Sequence, residues 1–407
     1  MVYTKQYITD YIEQEDVKFI RLAFCDVFGT QKNVSIMPSK LTQAFERGIA
    51  FNPSEINGFE SHKSDLFLFP DPSTLNVLPW RPSHGRVVRL FCNIKQPDQS
   101  PIAEDCRYIL QQAVEAAKSR GITCDFGAEF EFYLFQTDEN GNATSIPGDN
   151  AGYLDIAPED KGENTRREIC LTLEEMGMQP ESSHHEKGPG QHEINFMQSD
   201  ALSAADNATT FKVVVKTIAA RNGFAASFMP KPIRGKSGNG MHINMYIKSQ
   251  DGEDYTSAFA AGILAHIRDI TIFLNPLEDS YERLGQMSAP RYVTWSAENR
   301  SQLLRIPVSN EPDQRIELRS ADPMANPYLA YALLIYAGLD GIQKSMTPAQ
   351  PVNTDLNEAE KSVANEFKTL PHTLSEATQL AKSSSFVGQV LPKHIIDVYC
   401  NRAFVTI

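Results

Sequence analysis

Apolar residues along this chain recur first at every second position and later at three- and four-residue spacing, and the change of period divides it. The segment VKFIRLAFCDVFGTQKNVSI (17–36) reads as strand, Gly-Thr turn and strand, with Phe19, Leu22 and Phe24 among its apolar positions. Further short strands are predicted at DLFLF (65–69) and GRVVRLFCNI (85–94). From Pro101 the pattern becomes that of an amphipathic helix, IAEDCRYILQQAVEAAK, running to Lys118 and closed by Arg120-Gly121. A domain boundary is therefore placed near residue 100. Beyond it strands and helices mix: GAEFEFYLF (127–135), a helix over 165–176, a strand at HEINF and a helix over about 205–221. Strands around SFMPKP and HINMYI follow, then a helix over 328–341. The last 60 residues are polar with helical character, and no solenoid repeat is visible. The predicted class is α+β, with a small, mostly β domain over 1–100 and a larger body over 101–407.

Composition narrows the function classes. A net charge of −13 in 407 residues argues against nucleic acid or an anionic membrane as partner, because phosphate binding needs a basic footprint. No apolar run is read as approaching the roughly 20 residues of a membrane span. The start, MVYTKQYITDYIEQEDVKF, is too polar for a secretion signal, so a cytoplasmic protein is expected. Six cysteines without paired spacing indicate buried free thiols rather than disulfides or a zinc knuckle.

Against that background the acids inside apolar strands stand out. In GAEFEFYLF the alternation points Glu129 and Glu131 to one face and Phe130, Phe132 and Leu134 to the other. Two carboxylates side by side repel, and unpaired burial would drive one to take up a proton, so a positive partner is expected there. SSHHEKGPGQHEINF adds Glu186 and Glu193 across a Gly-Pro-Gly turn, GNGMHINMY adds His242, and RIELRS sets Glu317 between Arg315 and Arg319. These five glutamates with one imidazole suit two hard cations, magnesium or manganese, better than zinc. A lone glutamate is more often a surface acid and a histidine at 184 or 185 more often a satisfied one, while Arg315, Glu317 and Arg319 read as well as a structural salt-bridge ladder; their conjunction is what favours a site. Arg283, Arg300, Arg305, Arg315 and Arg319 crowd into 37 residues, and guanidinium forks bind carboxylate and phosphate, so phosphoryl transfer fits. GKS at 235–237 lacks the glycine that would open a P-loop, and GPG at 188–190 does not continue as a dinucleotide fingerprint.

Together these strings resemble the glutamine synthetase family. GAEFEFYLF, GYLDIAPEDKGENTRREI, SSHHEKGPGQHEINF, AARNGFAASFMPKPIRGKSGNGMHIN, SAENRSQLLRIP and RIELRSADPMANPYLAYALLIYAGLDGI follow the family's order. The resemblance implies a β-grasp domain and a catalytic domain built on a curved antiparallel sheet. It also implies ATP and glutamate at opposite ends of one site, and a homo-oligomer of two stacked hexameric rings with active sites between subunits. It assigns one metal to Glu131, Glu186 and Glu193 and the second to Glu129, His242 and Glu317. Arg300, Arg305 and Arg315 would face phosphates, and Arg283 and Arg319, with Gly238 and His242, would hold glutamate. Tyr153, Glu181 and Asn244 match positions near the nucleotide.

The amine end departs from the family's pattern. Where many members read F-D-G-S-S, this chain has Phe51-Asn52-Pro53-Ser54-Glu55, and an amide at 52 cannot serve as the base. The flap reads Gly285-Gln286-Met287-Ser288-Ala289-Pro290, one residue short, with Ser288 where a glutamate is usual. The acceptor is accordingly read as ammonia or an organic amine, the product as glutamine or a γ-glutamylamide, with Glu55 a remaining nearby charge. A silent structural paralogue would be marked by loss of Glu129, Glu131 or Glu317, and all three are present.

Overall fold

The acid-bearing strand predicted at 127–135 is the middle of a longer one, Ile122–Thr137, which forms the spine of a nine-stranded sheet in the computed structural model. The model describes residues 3–81, 84–307 and 315–401. Along the sheet the order is Trp295–Ser296, Leu304–Arg305, Arg315–Leu318, Met241–Ser249, Ile122–Thr137, Gln191–Asp200 and Pro180–His185. Phe224–Ser227 and Ala143–Pro147 also pair with the spine. All contacts are antiparallel except the first.

One face of the spine buries Phe126, Phe130 and Phe132, each 0% exposed, Phe130 and Phe132 against Phe211 of the helix Ala201–Arg221 and Phe228, and Phe126 against Tyr331. That leaves the alternate positions 129 and 131 on the other face, as the period-two pattern requires.

A six-stranded N-terminal sheet precedes it, with Val17–Cys25 and Arg86–Lys95 as a parallel central pair flanked by Gln31–Ile36 and Leu66–Pro70. The strand reading of 17–36, 65–69 and 85–94 thus matches these elements. An N-terminal helix, Lys5–Gln14, was hidden by its polarity: only Ile8 and Ile12, four residues apart, are buried.

Three expectations are corrected. The helix read from Pro101 begins at Cys106, because the Asp105 carboxylate accepts from the Arg107 and Ile94 backbone N–H groups and caps it five residues later. SFMPKP is not a strand beyond Ser227, since Pro230 leaves the ladder and its carbonyl instead accepts from the Asn239 N–H. The sequence reading passed over the 19-residue helix Thr256–Leu274, which has the length and composition of a membrane span although His266, Arg268 and Asp269 interrupt its apolar residues. It lies in the interior, packed against the equally apolar helix Pro327–Gln343. Asn326 caps that second helix through the Tyr328 N–H and also donates to the Val27 carbonyl, tying the two sheets' layers together.

Candidate active site

Register alone sets the first contacts of the site. On the spine, Glu129 stands opposite His242 on one side, and Glu131 stands opposite Glu193 on the other. Glu317 arrives from the next strand, paired with Asn244 and with Arg305. The carboxylate of Glu129 accepts from Asn244 Nδ2 at 2.9 Å and lies 3.1 Å from His242 Nδ1. Glu317, almost fully buried, is gripped by Arg319 Nη1 at 2.5 Å and Arg305 Nη1 at 3.0 Å.

A ligand atom from each of Glu129, His242 and Glu317 lies within 4.8 Å of the others. The same holds for His184, Glu186 and Glu193, and Glu131 adjoins them in the cavity wall, its carboxylate taking the Gly240 N–H at 2.7 Å. The six residues foreseen as metal ligands therefore meet in one cavity of 470 Å³, and His184 is added to them.

Electrostatics separates the two groups. Burial opposes ionisation of Glu129 and Glu317, but His242 and Asn244 for the first, and Arg319 and His242 for the second, outweigh it and lower both carboxyls. In the other group burial wins: with Glu193 it pushes Glu131 up against the opposing pull of His242 and Arg283, and with Glu131 and Glu193 it pushes Glu186 up to about 7. A crowd of acids held partly protonated is the condition a dication relieves. Oxygen-rich ligands with one or two imidazoles fit magnesium or manganese in both groups.

A smaller cavity of 50 Å³ adjoins the larger, sharing Glu131, Glu186, Lys187, His242, Ser288 and Arg319. Arg283 and Gly238 line it. A Cβ at Gly238 would fall 2.4 Å from the Pro230 carbonyl, so no other residue fits there. Arg283 donates to the Ser320 and Arg319 carbonyls at 2.7 and 3.2 Å. The larger cavity holds Tyr153, Arg300, Arg305 and Arg315, with the Tyr153 ring edge-on to His184. Ser288 is on the wall of both cavities.

Three foreseen residues stand elsewhere. Asn244 turns its amide onto Glu129 rather than into open cavity. Glu181 is exposed on Pro180–His185 and does not line either space. Asn52 caps its own turn, accepting from the Ser54 N–H, and lines neither cavity of its own chain. Lys187 was not foreseen: its ammonium donates to Ser288 Oγ at 2.9 Å, and nothing in HHEKGP indicates that reach.

A buried network under the site fixes its rim. Asp149 takes the Gly190 N–H and contacts His185 Nε2 at 3.0 Å, while Arg166 bonds Asp160 at 2.6 Å and His192 Nδ1 at 2.9 Å. Asp149, Asp160, His185 and His192 have metal-like spacing, but the Arg166 guanidinium already supplies the positive charge among them. These groups hold the turn between Glu186 and Glu193.

Fold and site together define an ATP-dependent carboxylate–amine ligase. Residues 103–404 match the glutamine synthetase catalytic domain, and residues 16–97 match the glutamine synthetase β-grasp domain. A glutamine synthetase of Clostridium saccharobutylicum is 43% identical over 414 residues, covering 98% of this chain and 93% of that protein. One of Methanosarcina mazei is 42% identical over 413 residues, covering 97% and 92%. Among solved structures, a chain described as a GmaS/ADP complex superposes with a TM-score of 0.86 at 28% identity, covering 97% of this chain and 94% of that one. The chain belongs to the glutamine synthetase family.

Proposed function

We propose that the chain phosphorylates the γ-carboxylate of L-glutamate with ATP and passes the acyl group to an amine. The convergence of six ligand residues and four arginines on one cavity carries this reading. Glu131, Glu186 and Glu193 would hold one magnesium or manganese ion and Glu129, His242 and Glu317 another. When bound, the cations offset negative charge on the phosphoryl group in transit.

ATP takes the large cavity, with Arg300, Arg305 and Arg315 toward its phosphates and Tyr153 toward the nucleoside; the ADP named for the GmaS neighbour supports an adenine nucleotide there. Glutamate takes the small cavity, between Arg283, Arg319 and the Gly238 backbone. Its γ-carboxylate oxygen attacks the terminal phosphorus and ADP leaves, which converts a poor electrophile into an acyl phosphate. The amine lone pair then attacks the γ-carbon, the C–O bond to phosphate breaks, and phosphate departs with that electron pair. Arg300 lies on the wall where charge accumulates and stabilises it.

The acceptor is an organic amine, so the product is a γ-glutamylamide. Asn52 and Ser288 offer no carboxylate to draw an ammonium ion, and Lys187 adds a positive charge beside Ser288. A second reading, glutamine synthesis from ammonia, is favoured by the name of the relatives at 41–43% identity. Subunits are expected to assemble as two hexameric rings, with Asn52 of one closing the site of the next. Six free cysteines fit a cytoplasmic setting. Mass spectrometry of products from ATP, manganese or magnesium, glutamate and competing amines distinguishes the readings. The amide of an organic amine is expected to dominate; an ammonium optimum in the low millimolar range rejects it in favour of glutamine.

A further inference from the structure

Most cations on the walls of the two cavities are already engaged. Arg305 and Arg319 hold Glu317, Arg283 holds two backbone carbonyls, and Arg315 holds Tyr246. Two remain whose charge meets no carboxylate, carbonyl or phenol among the described residues, Arg300 and Lys187. Arg300 lines only the large cavity, whereas Lys187 lines both and so stands at their junction, where acyl group and amine must meet. Its ammonium has three N–H donors and spends one, on Ser288 Oγ at 2.9 Å. The side chain is exposed, so the other two are open to a ligand.

Two further observations limit what that ligand is. The backbone N–H of Lys187 donates to Glu186 at 3.0 Å, which anchors the residue beside the carboxylate group without neutralising its side chain. The loop carrying Ser288 is tethered a second time by Lys231, whose Nζ donates to Gln286 at 3.1 Å, so the partner of Lys187 is held in place rather than swinging with a free loop. Between these tethers Met287 exposes an apolar side chain at the same mouth, 59% exposed. A cation meeting this rim faces a like charge, a carbon chain meets a thioether, and an anion meets an open ammonium.

Building on the ligase reading, we infer that Lys187 selects the acceptor: a primary amine that also bears a carboxylate, an amino acid in the chemical sense, docked with its carboxylate on Lys187 Nζ and its nitrogen toward the γ-carbonyl. The C–N bond forms from the amine lone pair, the C–O bond to phosphate breaks, phosphate leaves with the electron pair, and the nitrogen's surplus proton passes to solvent. Lys187 acts on binding of the acceptor, and Ser288 keeps its ammonium over the junction.

Acceptor kinetics with the full-length enzyme test this. Glycine, β-alanine and 4-aminobutyrate serve as carboxylated amines, ethylamine and propylamine as neutral-tailed ones, and ammonium as the reference. The wild type is expected to prefer a carboxylated amine. Lys187→Met is expected to lower the ratio of kcat/KM for carboxylated over neutral amines by about tenfold or more, mainly through KM, and Lys187→Arg to retain most of it. Lys187→Glu is expected to reverse the preference toward 1,3-diaminopropane. Equal losses across all acceptors in Lys187→Met would assign the lysine to the phosphoryl step and overturn the inference, as would a wild type that favours ammonium or neutral amines. Absence of glutamate-dependent ADP formation with every acceptor is a different result, and would bring down the ligase reading itself.

Discussion

At the scale of residues, the site is governed by how six acids and imidazoles share a small volume. The Glu129 and Glu317 carboxyls are held low because a histidine and guanidiniums face them, while burial first and then neighbouring carboxylates push Glu131 and Glu186 up. The sign of the consequence follows from linkage. A carboxyl raised to about 7 contributes stability that is complete below the ordinary carboxyl range and is lost as pH rises through about 7. A divalent cation replaces that proton, so excess manganese or magnesium is expected to raise Tm more at about pH 8 than at about pH 6, and to release protons on binding. Thermal melts with and without metal at the two pH values check it; equal shifts would show that Glu186 is not displaced. The alternation of Glu129 and Glu131 was legible in the sequence because strand geometry fixes which side chains share a face. Lys187 was not, since a bond between positions 187 and 288 is invisible along the chain.

Elements are held in register by close approach at a few glycines. The helices Thr256–Leu274 and Pro327–Gln343 touch backbone to backbone: a Cβ on Gly262 would lie 2.1 Å from the Ala337 carbonyl, and one on Gly341 would lie 2.1 Å from the Ala258 carbonyl. Neither glycine has room to yield. Gly262→Ala is expected to cost about 1–3 kcal/mol by forcing the helices apart, read as a lower urea midpoint at unchanged m-value. A neutral outcome would mean that the interface relaxes freely. The helix read at 328–341 is Pro327–Gln343 in the structure, where Asn326 caps it and Pro327 sits in its first turn. Its partner went unread, since a helix apolar on most sides has little period to read. SFMPKP misled in the opposite direction, because its apolar residues look strand-like until a proline takes the position that should donate.

For the whole molecule the open point is where Asn52 acts. Its side chain caps a local turn and reaches neither cavity of its own chain, which agrees with the proposal that neighbouring subunits complete each site. Co-expression checks this: Asn52→Trp and Glu317→Ala subunits, each inactive alone, are expected to recover roughly a quarter of wild-type activity when mixed equally in one ring. No recovery would place each site within a single chain. Taken alone, the sequence determined the α+β class, both sheets' principal strands and the candidate ligand set, because those depend on local period and on residue types that have few other uses in apolar strands. Only the tertiary structure decided which acids meet cations and which meet other acids, that Asn244 supports Glu129 rather than facing the cavity, and that Lys187 spans to Ser288. Such facts depend on distances between residues about a hundred positions apart, which packing of the sheet sets and no local pattern encodes.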